Sequence, residues 1–158
     1  AQPAAAAAAA APESKMFCMQ CEQTQDATGC TTIGVCGKTP EVAALQDVVV
    51  NAVRGLAALT TAAGASAATA ADDALVLETL FATLTNVNFD DARFVAYCKA
   101  LSARMDELRA ALDADVLAAL PEAARWRVPA AEDDGELEAQ LQRDAPAYRI
   151  DAARAALG

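Results

Sequence analysis

Four cysteines lie within a short span as Cys18-x2-Cys21-x8-Cys30-x5-Cys36. Thiolates are the soft ligands of zinc and of iron–sulfur centres, and also the nucleophiles of disulfide exchange. Four of them at this spacing can converge on one centre. Four chemistries compete. A disulfide pair needs an oxidising compartment, and no secretory signal is visible. Structural zinc is usually held by two short Cys-x2-4-Cys arms, and only one arm is short here. A redox Cys-x2-Cys motif follows a strand and opens a helix, and needs no further cysteines. An iron–sulfur cluster tolerates irregular spacing, because a wrapping loop reaches it from several sides. Iron–sulfur ligation and zinc lead, and the spacing alone leaves the choice open. Gly29, Gly34 and Gly37 each lie close to a cysteine, which lets the backbone approach and turn N–H groups toward sulfur. Cys98 is of another kind: it stands between Phe94 and Leu101 on an apolar stripe and reads as a small core hydrophobe.

The elements that must position these thiols are helical. Of 158 residues, 44 are alanine, so the 55% hydrophobic fraction overstates the material for a core. Aromatics are only 4%, and Ala and Leu favour helix over strand. The expected fold is mainly α, with a cysteine-rich loop followed by an antiparallel helical bundle. Thr39-Pro40-Glu41 starts the first helix, with Thr as cap, Pro in the first turn and Glu on the positive end of the dipole. That end follows Cys36 by three residues, so it can face an anionic centre. Lys38 adds positive charge there, and Glu41 opposes it. Val42, Leu45, Val49, Ala52, Val53, Leu56 and Leu59 continue the helix until Gly64-Ala65-Ser66. Asp72-Asp73 starts a second helix with Leu77, Leu80, Phe81 and Leu84 on one face. After a break at Asn86 to Phe89, Asp90 caps a third, whose stripe is Phe94, Cys98, Leu101, Met105, Leu108 and Leu112. Pro121 and Pro129 bracket a connector with Trp126. Residues 136–144 and 151–157 read as short polar helices. Residues 1–15, with eight consecutive alanines, read as a disordered Ala/Pro leader, 16–38 as the cluster loop, 39–128 as the bundle and 129–158 as a polar tail, the truncated start of a further region.

Several function classes drop out. The net charge of -10 argues against a nucleic-acid face. There is no run of 18 or more strongly apolar residues, so no membrane span is expected. With no histidine in the sequence, a Ser-His-Asp or Cys-His nucleophile, His-bound zinc and a His general base are all excluded.

Three blocks resemble the start of the hybrid-cluster proteins, also called prismane proteins or hydroxylamine reductases. The first is Met16-Phe17-Cys18-Met19-Gln20-Cys21-Glu22-Gln23-Thr24 with Gly29-Cys30-Thr31-Thr32-Ile33-Gly34-Val35-Cys36-Gly37-Lys38, running on into Thr39-Pro40-Glu41 and Leu45-Gln46-Asp47. The second runs from Leu80-Phe81-Ala82-Thr83-Leu84-Thr85-Asn86 to Val87-Asn88-Phe89-Asp90-Asp91-Ala92-Arg93-Phe94. The third is Leu120-Pro121-Glu122-Ala123-Ala124-Arg125-Trp126. The resemblance covers residues 16 to 127 in order.

It implies that Cys18, Cys21, Cys30 and Cys36 bind the proximal cluster. The compact spacing is similar to the branch with a [4Fe-4S] cubane rather than the one with a [2Fe-2S] centre. The resemblance further implies an electron relay from a redox donor to a hybrid iron–sulfur–oxygen cluster. There hydroxylamine is reduced to ammonia; nitric oxide reduction and protein S-nitrosylation are also attributed to the family. The hybrid cluster is held by His, Glu and Cys residues of later domains. This chain has no histidine and only Cys98 to spare, so it is expected to be an N-terminal fragment without catalytic residues of its own. The alternative is a stand-alone iron–sulfur or zinc-binding helical module. The charge favours a basic donor, with no nucleic-acid or membrane partner. Thiolate-held clusters favour a reducing compartment, so the cytoplasm is expected, or a plastid or mitochondrion if the leader is a transit remnant.

Overall fold

The computed structural model describes residues 16–149, and these are mainly helical. Among the described residues, five α-helices follow the cysteine loop: α1 Pro40–Ala63, α2 Ala70–Ala82, α3 Asp91–Ala110, α4 Ala114–Ala119 and α5 Asp134–Asp144. Short 3-10 turns lie at Gln25–Ala27, Ala65–Ala67, Glu122–Arg125 and Ala145–Tyr148. Among the described residues, β-pairing is limited to one bridge, between Cys18 and Cys30. The proposed leader, residues 1–15, and the helical piece at 151–157 lie outside the described residues.

α1 forms where its start and stop signals stand. The Thr39 hydroxyl accepts from the Val42 N–H at 3.3 Å, Pro40 fills the first turn, and Gly64 ends the helix at a φ of 88°. Its expected stripe is buried, with Leu45, Val49, Ala52 and Leu59 fully excluded from solvent, and Val48, outside that stripe, is excluded as well. α3 begins at Asp90, whose carboxylate accepts from the N–H groups of Ala92 and Arg93. Phe94, Cys98, Leu101 and Met105 pack from α3 into the same core, which Trp126, Leu137 and Leu141 complete. α1 meets the length and hydropathy needed to cross a membrane, and its apolar window is 67% buried inside this fold. It does so without a continuous run of strongly apolar residues, because alanines stand between its leucines and valines.

α2 corrects the sequence reading twice. It starts before Asp72-Asp73, at Ala70, with Thr69 as its cap: the Thr69 hydroxyl accepts from the Asp72 N–H, and the Asp72 carboxylate accepts from the Thr69 N–H at 2.9 Å, a reciprocal capping box. The apolar face of Leu77, Leu80, Phe81 and Leu84 does not enter the core. Leu77 is 70% and Phe81 62% exposed. The inward face carries Asp72, Thr79 and Ala82 instead. Asp72 faces α3, where Arg104 pairs with both of its carboxylate oxygens, Nε at 2.6 Å and Nη2 at 3.0 Å. The same guanidinium donates to the Ala67 carbonyl. That pairing holds the Asp72 carboxyl below the usual carboxylate range, and burial only partly offsets it.

The connector after α3 contains α4, an element that the sequence reading left out. Arg109, which is buried, fastens the rest of it. Its Nε donates to the Ala124 carbonyl at 2.8 Å, Nη2 to the Trp126 carbonyl at 2.5 Å and Nη1 to Asp106 at 2.6 Å. Ser102 accepts from the Val128 N–H. These bonds press Ala123 against Gly55 of α1, where an added Cβ would lie 2.2 Å from the Ala123 carbonyl oxygen.

Candidate metal centre

The cysteine loop is closed by backbone bonds. Cys18 N–H donates to the Cys30 carbonyl at 3.0 Å and Cys30 N–H to the Cys18 carbonyl at 2.8 Å. In such an exchanged pair the two Cα atoms are neighbours across the bridge. Met16 N–H extends the pairing to the Thr31 carbonyl. Met16, Cys30 and Ala43 of α1 form a small apolar cluster, with Cys18 packed against it. The chain between Cys21 and Cys30 turns tightly, since the Gln25 carbonyl accepts from both the Thr28 and Gly29 N–H groups. Gly29 is needed where it stands: its φ is 146°, and a Cβ would lie 2.7 Å from the Phe17 ring.

Cys36 lies in a second turn. Gly37 N–H donates to the Gly34 carbonyl and Gly34 N–H to the Lys38 carbonyl, both at 2.8 Å. A Cβ on Gly34 would lie 3.2 Å from the Cys36 sulfur, so this glycine leaves room for the thiol. Lys38 and the Thr39 cap then carry the loop directly into α1. Cys18, Cys21 and Cys36 are half-buried and Cys30 is buried, and all four are free thiols. Cys98 is separate, fully buried in the α1–α3 core. Desolvation pushes its thiol up to about 12, which suits an inert core residue.

Lys38 is the residue whose role the sequence reading left incomplete. It is 98% buried: its relative exposure is 2%. Its Nζ donates to three acceptors, the Cys18 sulfur at 3.7 Å, Gln20 Oε1 at 3.0 Å and Gln46 Oε1 at 2.5 Å. A lysine ammonium has three donors, so all are satisfied. Gln46, itself buried in α1, donates through Nε2 to the Asn88 carbonyl at 3.4 Å. A cleft of about 180 Å³, lined by Phe17, Cys18, Gln20, Lys38 and Gln46 among others, opens beside the Cys18 sulfur.

The donor set fits a thiolate-held centre in kind: four free soft ligands on a loop that glycines let bend, with a buried cation at one of them. The arrangement is partly gathered. Cys18 and Cys30 are in register and Cys36 is tethered to the start of α1. Among the described residues, no three His, Cys, Asp or Glu side chains are drawn together closely enough to hold a metal ion.

The model of the Prismane/CO dehydrogenase family matches residues 16–150. The chain belongs to this family. The match takes in the cysteine loop, all five helices and the Arg109-fastened connector. Among curated relatives, the hydroxylamine reductase of Syntrophobacter fumaroxidans is 52% identical over 106 residues, 66% of this chain and 19% of the relative. Those of Maridesulfovibrio salexigens and Desulfitobacterium hafniense (strain DSM 10664 / DCB-2) are 49% and 43% identical. These alignments cover 63% and 80% of this chain, and 19% and 24% of the relatives. The chain thus spans about a fifth to a quarter of the length of the curated relatives it matches. The resemblance of the three sequence blocks to hybrid-cluster proteins therefore holds as family membership, and the family implies iron–sulfur clusters as cofactors.

Proposed function

We propose that residues 16–38 hold a [4Fe-4S] cluster through Cys18, Cys21, Cys30 and Cys36. In this reading the chain is the N-terminal electron-transfer domain of a hydroxylamine reductase, its loop set on an antiparallel bundle over 39–128, with 129–158 leading into a further region. The single observation that carries the reading is the Cys18–Cys30 bridge, set against α1 and carrying a buried lysine on one sulfur, inside a matched family segment. The cluster supplies one-electron storage when bound. The chain's own residues ligate it and shape its pocket. The partner on one side is a redox donor, and a basic one suits the net charge of -10. On the other side is a hybrid cluster in the remainder of a protein of the relatives' length, where hydroxylamine, or nitric oxide, is reduced. The exposed Leu77, Phe81, Val87 and Phe89 give that remainder an apolar face to cover. The cytoplasm is the compartment that fits thiolate ligation.

For this polypeptide by itself, the lack of histidine and the core position of Cys98 favour electron transfer without catalysis. Anaerobic reconstitution, iron and sulfide analysis, and EPR of the reduced protein test the cluster. About four irons and four sulfides per chain are expected. Fewer than about three irons, or a stoichiometric zinc that iron does not displace, overturns the reading in favour of a zinc-stapled module. A reduced dye with hydroxylamine tests the second part, and turnover by this chain alone refutes it.

A further inference from the structure

We propose that Lys38 sets the reduction potential of the centre at Cys18. The inference rests on the cluster reading above and deepens it. The observation is a buried ammonium whose three acceptors are all uncharged in their ordinary forms: two amide oxygens and a thiol sulfur. Among the described residues, Lys38 takes part in no salt bridge. Lysine is almost never fully buried unless it is paired, because desolvating its charge is costly. Two glutamine oxygens accept its N–H bonds without supplying a counter-charge. Metal ligation requires the thiolate at Cys18, and that thiolate then stands 3.7 Å from the ammonium as its counter-charge.

The rest of the pocket keeps the charge in place. Gln46 is oriented, since its amide nitrogen donates to the Asn88 carbonyl and its oxygen therefore faces Lys38. Gln46 belongs to α1, and the Gly34–Lys38 backbone bond fixes the other end of the lysine. Reduction adds one electron from the donor to the site, with no bond made or broken and no proton taken up, so the negative charge there rises by one. A fixed cation at this distance, out of contact with solvent, favours the reduced state and is poorly screened by salt. Lys38 is thus a positioning and tuning residue. It ligates nothing and contacts no substrate.

The test is the midpoint potential of the reconstituted chain, read by EPR during a redox titration, in wild type, Lys38→Arg, Lys38→Met and Gln46→Glu. Lys38→Met removes the charge. Gln46→Glu keeps the shape and gives the ammonium a carboxylate 2.5 Å away, which cancels its field at the sulfur. Both variants are expected to lower the reduced fraction at a fixed solution potential at least about tenfold, equivalent to about 59 mV for one electron. Lys38→Arg is expected to hold close to the wild-type potential. Potentials in Lys38→Met and Gln46→Glu equal to wild type overturn the inference and leave the cluster reading standing. Loss of the cluster from all three variants also overturns it, because that is a packing role. Loss from Lys38→Met and Gln46→Glu with retention in Lys38→Arg overturns it too, because the charge then serves cluster assembly and not the potential. A wild-type chain that binds no iron and sulfide overturns the cluster reading itself, and this inference with it.

Discussion

Replacing Gly55 by alanine tests the packing of the fold, because two physical effects give opposite signs. Gly55 lies in the middle of α1, where glycine costs about 1 kcal/mol of helix stability relative to alanine. Propensity alone makes Gly55→Ala stabilising by that amount. The structure says otherwise. The new Cβ would lie 2.5 Å from Met105 Cε, 2.8 Å from the Ala123 carbonyl carbon and 2.2 Å from the Ala123 oxygen. The methionine end can swing aside. The carbonyl has to retreat by about 1.2 Å, from 2.2 Å to the 3.4 Å of an ordinary contact. Arg109 resists that retreat, since it holds the neighbouring Ala124 and Trp126 carbonyls at 2.8 Å and 2.5 Å.

Overpacking of this kind costs roughly 1–3 kcal/mol, and straining one of the Arg109 bonds adds about 1 kcal/mol. Against the gain of about 1 kcal/mol from propensity, the net loss is about 2 kcal/mol. For a folded unit of about 134 residues, an unfolding entropy of about 2.1 cal/mol/K per residue gives about 0.28 kcal/mol/K, so the expected drop in Tm is about 7 °C. Thermal unfolding followed by far-UV circular dichroism, with a urea titration at 25 °C, measures it. A Tm equal to or above that of the wild type refutes the close approach of α1 to the connector.

Cys21→Ser is expected to abolish the cluster signal and leave the far-UV helical spectrum nearly unchanged, because the helical core lies outside the loop. After cluster removal, amide exchange across 16–38 should become fast while α1 and α3 stay protected, since in the proposed reading ligation supplies the folding energy of that loop; slow exchange throughout would contradict this. The double variant Leu77→Gln with Phe81→Gln should change unfolding free energy by no more than about 0.5 kcal/mol, against the 2 kcal/mol or more for each residue if they were core. Asp91→Asn should raise the Tm at pH 7. Burial, with Glu138, Glu41 and Asp90 nearby, lifts the Asp91 carboxyl above its ordinary range, and its Oδ1 has no hydrogen-bond partner. A raised carboxyl costs stability when ionised, so the advantage of the variant should shrink as pH falls through the folded value of Asp91 toward its unfolded one. A gain that persists unchanged at pH 3 would show another cause.

α1 and α3 were legible because their caps and their 3.6-residue stripes agree, so local and global preferences reinforce one another. α2 was misread where those signals diverge. Its most apolar face is exposed, and its inner face is carried by Asp72, whose burial depends on Arg104, 32 positions away. No local pattern announces such a partner. The connector is similar: its prolines and Trp126 mark it in the sequence, but its placement depends on the buried Arg109, an otherwise ordinary helix residue. At the cysteine loop the four thiols and their spacing were readable, as was the glycine next to Cys36. The burial of Lys38 was not. Its acceptors come from positions 18, 20 and 46, and two of them are glutamines that carry no charge signal. A buried cation supported by neutral side chains is poor design for stability alone, since an apolar residue would fill the same space without desolvating a charge. Such violations of the local rules concentrate where function compensates for them. In the proposed reading the compensation is the Cys18 thiolate, 3.7 Å from the ammonium, which supplies the counter-charge that the two glutamines do not.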